Sequence, residues 1–269
     1  MAAAVVTIIT IMAMDTTMHT DRWLRYPPGK KSIDLPIRNN WRHIVQAALL
    51  LRILQLASPS LPIGAYTYSQ GLESAIEQGI VTNESTARNW ITESLQIVSD
   101  FEAPILWRLL QAFADRDAEA VHFWTESFIA ARDTAEFRAE TVQMGYSLNK
   151  LIADLRIVDS ELQTLIADLE VVPLPTAYAC AAQALGIPHQ EAMLGMLFSL
   201  VENQVLVCVK SVPLGQVSGQ ALLLSLHSAI VQAAEHAQQL DDDELSNWAP
   251  GLTLLSIQHE TQYSRIYRS

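Results

Sequence analysis

Positive charge is scarce in this chain. Only 17 Lys and Arg stand against 29 Asp and Glu, a formal net charge of −12. Phosphate backbones are held by clustered Lys and Arg, so nucleic acid is excluded as a partner, and the same sign opposes anionic membrane surfaces. Cysteine is scarcer still. Cys180 and Cys208 lie in apolar stretches without a Cys-x-x-Cys spacing, which leaves no disulfide framework or thiolate zinc site and makes both read as small buried hydrophobes. Long apolar runs are missing at the start. Met1 to Ala13 is too short to span a bilayer and no basic segment precedes it, so a cytoplasmic protein is expected.

The motifs of common chemistry are absent as well. There is no phosphate-binding Gly-rich loop, Gly-x-Ser-x-Gly elbow or His-Glu-x-x-His helix. The seven histidines (His19, His43, His122, His189, His227, His236, His259) include no pair three or four residues apart, where one helical turn offers both to a metal. No catalytic residue, metal ligand or cofactor site is therefore expected. Asp241 to Glu244 lacks the alternating ligands of a calcium loop and reads as a solvated turn. Glu73 is the one carboxylate close to an unusual loop, and its simplest reading is a polar residue early in a helix.

What is present is apolar and periodic. Half of the residues are hydrophobic and 17% are charged, enough to bury a substantial core. Residues 1–40, with Thr10, Thr16, Thr17 and Thr20 and then Pro27-Pro28-Gly29, show no sustained period and read as a loose extension. From Trp41 apolar residues recur at helical spacing up to a sharp stop at Ser58-Pro59. Residues 58–71 hold two prolines, two glycines and the pair Tyr66 and Tyr68, a shaped loop.

Helix starts follow at Asn83, at Pro104, at Asp133 with Glu136 and at Ser160 with Gln163 as capping boxes, and at Pro175 and Pro188. Leu222, Leu223, Leu226, Ile230 and Ala234 mark one last long helix. Val205 to Val209 is β-like but has no partner strand, so it reads as a buried helix end. The expected fold is all-α: a single-domain helical bundle of about eight to ten helices over residues 41–250, with a C-terminal tail over residues 251–269. That tail is expected to add little to the core. Its mixture of Leu254, Leu255, Ile257, Tyr263, Ile266 and Tyr267 with Arg265 and Arg268 reads as a segment that orders on a partner.

Three segments together resemble the UreF family of urease accessory proteins. They are Leu-Ala-Ser-Pro-Ser-Leu-Pro-Ile-Gly-Ala-Tyr-Thr-Tyr-Ser-Gln-Gly-Leu-Glu (residues 56–73), Val-Lys-Ser-Val-Pro-Leu-Gly-Gln (residues 209–216) and His-Glu-Thr-Gln-Tyr-Ser-Arg-Ile-Tyr-Arg-Ser at the end. The segment from Arg132 to Gly145 fits the family's middle helix. Two positions depart: residues 172–177 read Val-Pro-Leu-Pro-Thr-Ala where many members carry a His-Tyr-Pro-like sequence, and Tyr267 replaces the usual phenylalanine.

The resemblance implies an all-helical dimer without enzymatic activity. It would bind the UreD/UreH accessory protein, in part through its C-terminal tail, and with it recruit the nickel-carrying GTPase UreG to apo-urease. The expected partner contacts are Tyr66, Tyr68 and Ser69 in the loop, Lys210 and Gln216 in the second segment, and His259, Gln262, Tyr263, Arg265 and Arg268 in the tail. Without the three segments the chain would equally suit a helical adaptor of another GTPase, or a helical enzyme with a closed pocket of shifted carboxylates or histidines.

Overall fold

Short polar side chains and prolines set the helix starts, and apolar stripes then decide how the helices stack. A computed structural model describes the backbone of residues 37–268 and the side chains from residue 45 onward. The extension expected over residues 1–40 lies almost wholly outside the described residues. Among the described residues every regular element is helical. In chain order these are α1 (Ile37–Leu56), a 3-10 turn (Ala65–Thr67), α2 (Leu72–Glu77), α3 (Glu84–Asp100), α4 (Glu102–Asp115), α5 (Ala118–Ala130), α6 (Ala135–Asp154), α7 (Ser160–Ala167), α8 (Leu174–Ala184), α9 (His189–Ser211), α10 (Gln216–Ser225), α11 (His227–Gln239) and α12 (Pro250–Glu260).

Several starts are as the sequence predicts. Asn83 accepts from Thr86 N while Thr86 Oγ1 accepts from Asn83 N, a complete capping box. Pro175 sits in the first turn of α8, and Pro188 directly precedes α9. Val205 to Val209 lies inside α9, with Val205, Val207 and Cys208 buried.

The two other expected capping boxes are single N-caps on neighbouring residues. Thr134, not Asp133, caps α6 through Phe137 N, while Asp133 accepts from the Thr253 hydroxyl. Asp159, not Ser160, caps α7 through Leu162 N. In each case adjacent residues both carry a capping oxygen, and sequence does not say which one reaches the N3 amide. The single long helix expected through Leu226 is also two. α10 ends at Ser225, whose hydroxyl bonds back to the Leu222 carbonyl, and α11 begins at His227. Leu226 keeps a near-helical backbone, so the apolar stripe continues across the break and hides it from periodicity.

The compact unit runs from Ile44 to Ser269. Its interior holds two apolar clusters. One joins α2, α3, α9, α10 and α11; the other joins α4, α5, α6, α7 and α8. α8 is nearly all small residues and packs closely on α6. At Gly145 a Cβ would stand 2.1 Å from the Val172 carbonyl oxygen, so only glycine allows this approach. α9 and the segment Gln216–Gln239 are long and apolar enough to cross a membrane, yet half of the first is buried within this core.

The C-terminal segment differs most from expectation. It does not stand apart from the bundle: Leu255, Ser256, His259 and Tyr267 are all buried, and Leu255 and Tyr267 belong to the first apolar cluster. Polarity misleads here because the Ser256 and His259 side chains are matched. The Ser256 hydroxyl meets that of Thr134 at 2.9 Å, and His259 meets two carboxylates.

Candidate partner-binding surface

The loop after α1 is built to hold an awkward path. Gly64 and Gly71 both have φ near +80°, a backbone that other residues adopt at a cost, and Gly71 also abuts Leu252 of α12. Thr67 closes the 3-10 turn by donating to the Gly64 carbonyl. The loop's backbone is then fastened from α9. Asn203 donates to the Tyr68 carbonyl at 2.8 Å, and Gln204 to the Ser69 carbonyl at 3.2 Å. Gln70 bridges Gln204 and the buried Glu140 of α6.

Directly after the loop, Glu73 turns into the protein and is 6% exposed. Its Oε1 accepts the Ile266 N–H at 2.7 Å and its Oε2 the Tyr267 N–H at 2.9 Å. His259 Nε2 lies 3.0 Å from the same Oε2. The other ring nitrogen, Nδ1, lies 2.9 Å from Glu136 Oε2 at the start of α6, and Arg265 reaches Glu136 Oε1 at 3.2 Å. The Arg268 N–H donates to the Thr67 carbonyl at 2.8 Å, tying the chain's end to the loop. Lys210 Nζ stands 5.7 Å from the centre of the Tyr267 ring. Burial raises the Tyr267 hydroxyl above its ordinary range.

The loop and the C-terminal segment, far apart in sequence, thus meet around the Glu73 carboxylate, with Lys210 at the end of α9 beside the Tyr267 ring. Of the residues expected to touch partners, Tyr68, Ser69 and His259 are buried at 5%, 0% and 0% exposure. Within this chain their contacts are internal: Asn203 holds the Tyr68 carbonyl, Gln204 the Ser69 carbonyl, and two carboxylates flank the His259 ring. Tyr66, Tyr263, Arg265 and Arg268 are exposed, Tyr263 completely, and Gln262 is half-buried with its amide on the Ser264 carbonyl. Lys210 is exposed beside Tyr267. Gln216 opens α10 on the surface, and among the described residues no hydrogen bond joins it to the C-terminal segment.

Sequence reading missed the organising role of Glu73 and the contributions of Glu136, Asn203 and Gln204. A glutamate two residues after the glycine that closes the loop offered a hint. The α9 amides gave none, being two polar residues in an apolar helix.

Two adjoining cavities lie next to this surface and share Gln70, Glu102, Glu140 and Met144 in their walls. Glu102 pairs with Arg132 and Glu140 with Gln70. Glu202 at the second cavity has its carboxyl raised by burial. Glu202 lines that cavity together with Glu102 and Glu140. Among the described residues no group of three or more His, Cys, Asp or Glu is placed to hold a metal ion.

Comparison with known proteins agrees with the three segments. The UreF family matches residues 81–227. A protein of Nitrosospira multiformis named urease accessory protein UreF is 68% identical over 220 residues, covering 82% of this chain and 97% of its own length. A protein of the same name from Janthinobacterium sp. is 66% identical over 226 residues, covering 84% of this chain and all of its own. Another, from Azoarcus sp., is 49% identical over 223 residues, covering 82% of this chain and 95% of its own. The chain is a member of the UreF family of urease accessory proteins.

Proposed function

We propose that this chain is a non-catalytic scaffold for urease maturation in the cytoplasm, working as a homodimer. With UreD/UreH it recruits the nickel-carrying GTPase UreG to apo-urease and supports nickel insertion when GTP is hydrolysed. Nickel is cargo in this reading. The scaffold contributes affinity that differs between the GTPase's states, which is what allows hydrolysis to direct release. Neither nucleic acid nor a membrane takes part.

The observation that carries the reading is the convergence of the three segments on one surface. Tyr66, Tyr263, Ile266 and Arg268 project outward there, and exposed aromatics and arginine over a rigid support are the composition of a protein interface. A second face suits self-association. Val217, Leu224 and Val231 are exposed on a stretch, Gln216 to Gln239, whose only formal charge is Glu235, so two copies meet there with little repulsion despite the net charge of each.

The test is co-expression with and without the UreD/UreH and UreG homologues of the same genome, followed by light scattering. A stable complex that Tyr263→Ala and Ile266→Ala together weaken supports the scaffold. A chain that remains alone with both partners present refutes it.

A further inference from the structure

Glu73 is itself buried, yet more of the C-terminal segment hangs on it than on any exposed residue. Its two carboxylate oxygens take the amides of consecutive residues, Ile266 and Tyr267, and meet the His259 ring at the end of α12. Two of those groups lie beyond the last helix, where residues 261–268 have few other ties to the body: Arg265 to Glu136, Arg268 to the Thr67 carbonyl, and the Tyr267 ring in its apolar seat. Tyr66 precedes Thr67, and Ile266 lies two residues before Arg268, so the same fastening places loop and tail side by side.

We infer that Glu73 is the positioning residue of the docking surface: it joins the loop bearing Tyr66 and the tail bearing Tyr263 and Ile266 into one rigid platform that a partner binds as a unit. Rigidity matters because ordering a free tail at the moment of binding costs affinity, whereas a tail already fixed forfeits little. Charge alone does not give Glu73 this role. Glu136 is only 10% exposed in its side chain and also meets His259 and Arg265, but it takes no backbone amide of the tail and so does not set its path. The inference rests on the scaffold reading for its partner, and on local structure alone for the fastening.

The test compares Glu73→Gln with Glu136→Gln in the full chain. A glutamine keeps the shape of Glu73 but has one acceptor oxygen and presents an NH2 group where an amide must be accepted. Amide hydrogen exchange at Ile266 and Tyr267 should quicken at least tenfold in Glu73→Gln, with the helices of the body unchanged, and affinity for UreD/UreH should fall at least tenfold. Glu136→Gln should change both by less. If Glu73→Gln does not fold, Glu73→Asp keeps the charge and shortens the reach, and the same two readouts apply.

Unchanged exchange at Ile266 and Tyr267 overturns the fastening. Faster exchange with unchanged affinity overturns the platform. Equal effects from Glu136→Gln overturn the distinction in favour of bulk charge. If the unmodified chain captures no UreD/UreH, the scaffold reading fails instead, and exchange at residues 65–68 and 266–267 decides by itself whether Glu73 joins loop to tail.

Discussion

The contact of α6 with α8 and the contact of α2 with the C-terminal segment are built from opposite materials. The first is apolar and small: alanines, two buried prolyl and cysteinyl side chains, and a glycine at 145 that lets the backbone of residues 172–174 come within contact of α6. The second is polar: two carboxylates, an imidazole, a guanidinium and three backbone amides, all within hydrogen-bonding distance of a neighbour. Apolar contact is non-directional and tolerates any partner of the right shape. A buried carboxylate tolerates only donors placed at its oxygens, and so fixes one register of the segment it holds.

The largest break in this comparison is removal of the polar side altogether. Truncation after Gly251 leaves Glu73 and Glu136 without His259 and Arg265 and opens the apolar seats of Leu255 and Tyr267. A buried charge stripped of its partner costs about 3–5 kcal/mol, and two such losses with the lost packing approach the whole stability of a domain. The truncated protein should therefore show no cooperative melt by circular dichroism. A transition within a few degrees of the intact chain would show that the C-terminal segment is an accessory to the core after all.

Gly145→Val strikes the apolar side. Its Cβ meets backbone, which cannot rotate away, so α6 and α8 must separate. A destabilisation of at least about 3 kcal/mol in urea denaturation is expected, at the upper end of overpacking costs. A smaller value would mean that residues 172–174 yield.

Arg265→Ala sharpens the comparison within the polar side. Arg265 is 40% exposed in its side chain, and pairs open to solvent contribute about 0–1 kcal/mol. Its melt should barely move while UreD/UreH capture weakens, a split that neither Gly145→Val nor the truncation can produce.

The smallest effect concerns the cysteines. Burial pushes both thiols up to about 12, so neither forms thiolate at neutral pH. An alkylating reagent at pH 8 should leave Cys180 and Cys208 unlabelled in the folded protein and label both in denaturant. Labelling of the folded chain would place either residue in a looser region than the one described.

These opposite materials also explain what was readable. The all-helical class, the starts at Asn83, Pro175 and Pro188 and the helical reading of Val205 to Val209 followed from apolar period and local capping, which act between residues three or four apart. The break at Leu226 did not, because the stripe runs through it unchanged. The place of the C-terminal segment did not either. His259 and Glu73 stand 186 residues apart, and each taken alone has the composition of a surface.

By itself, the sequence determined that the protein is helical, acidic and apolar enough for a large core, and three short segments declared its family. Only the tertiary structure decided that those segments share one place, that Tyr68, Ser69 and His259 face inward while Tyr66 and Tyr263 face out, and that the C-terminal segment belongs to the core. The reason is physical. Periodicity records which residues avoid water, but a polar residue is indifferent to burial once its donors and acceptors are met, and whether they are met depends on neighbours that only folding brings together.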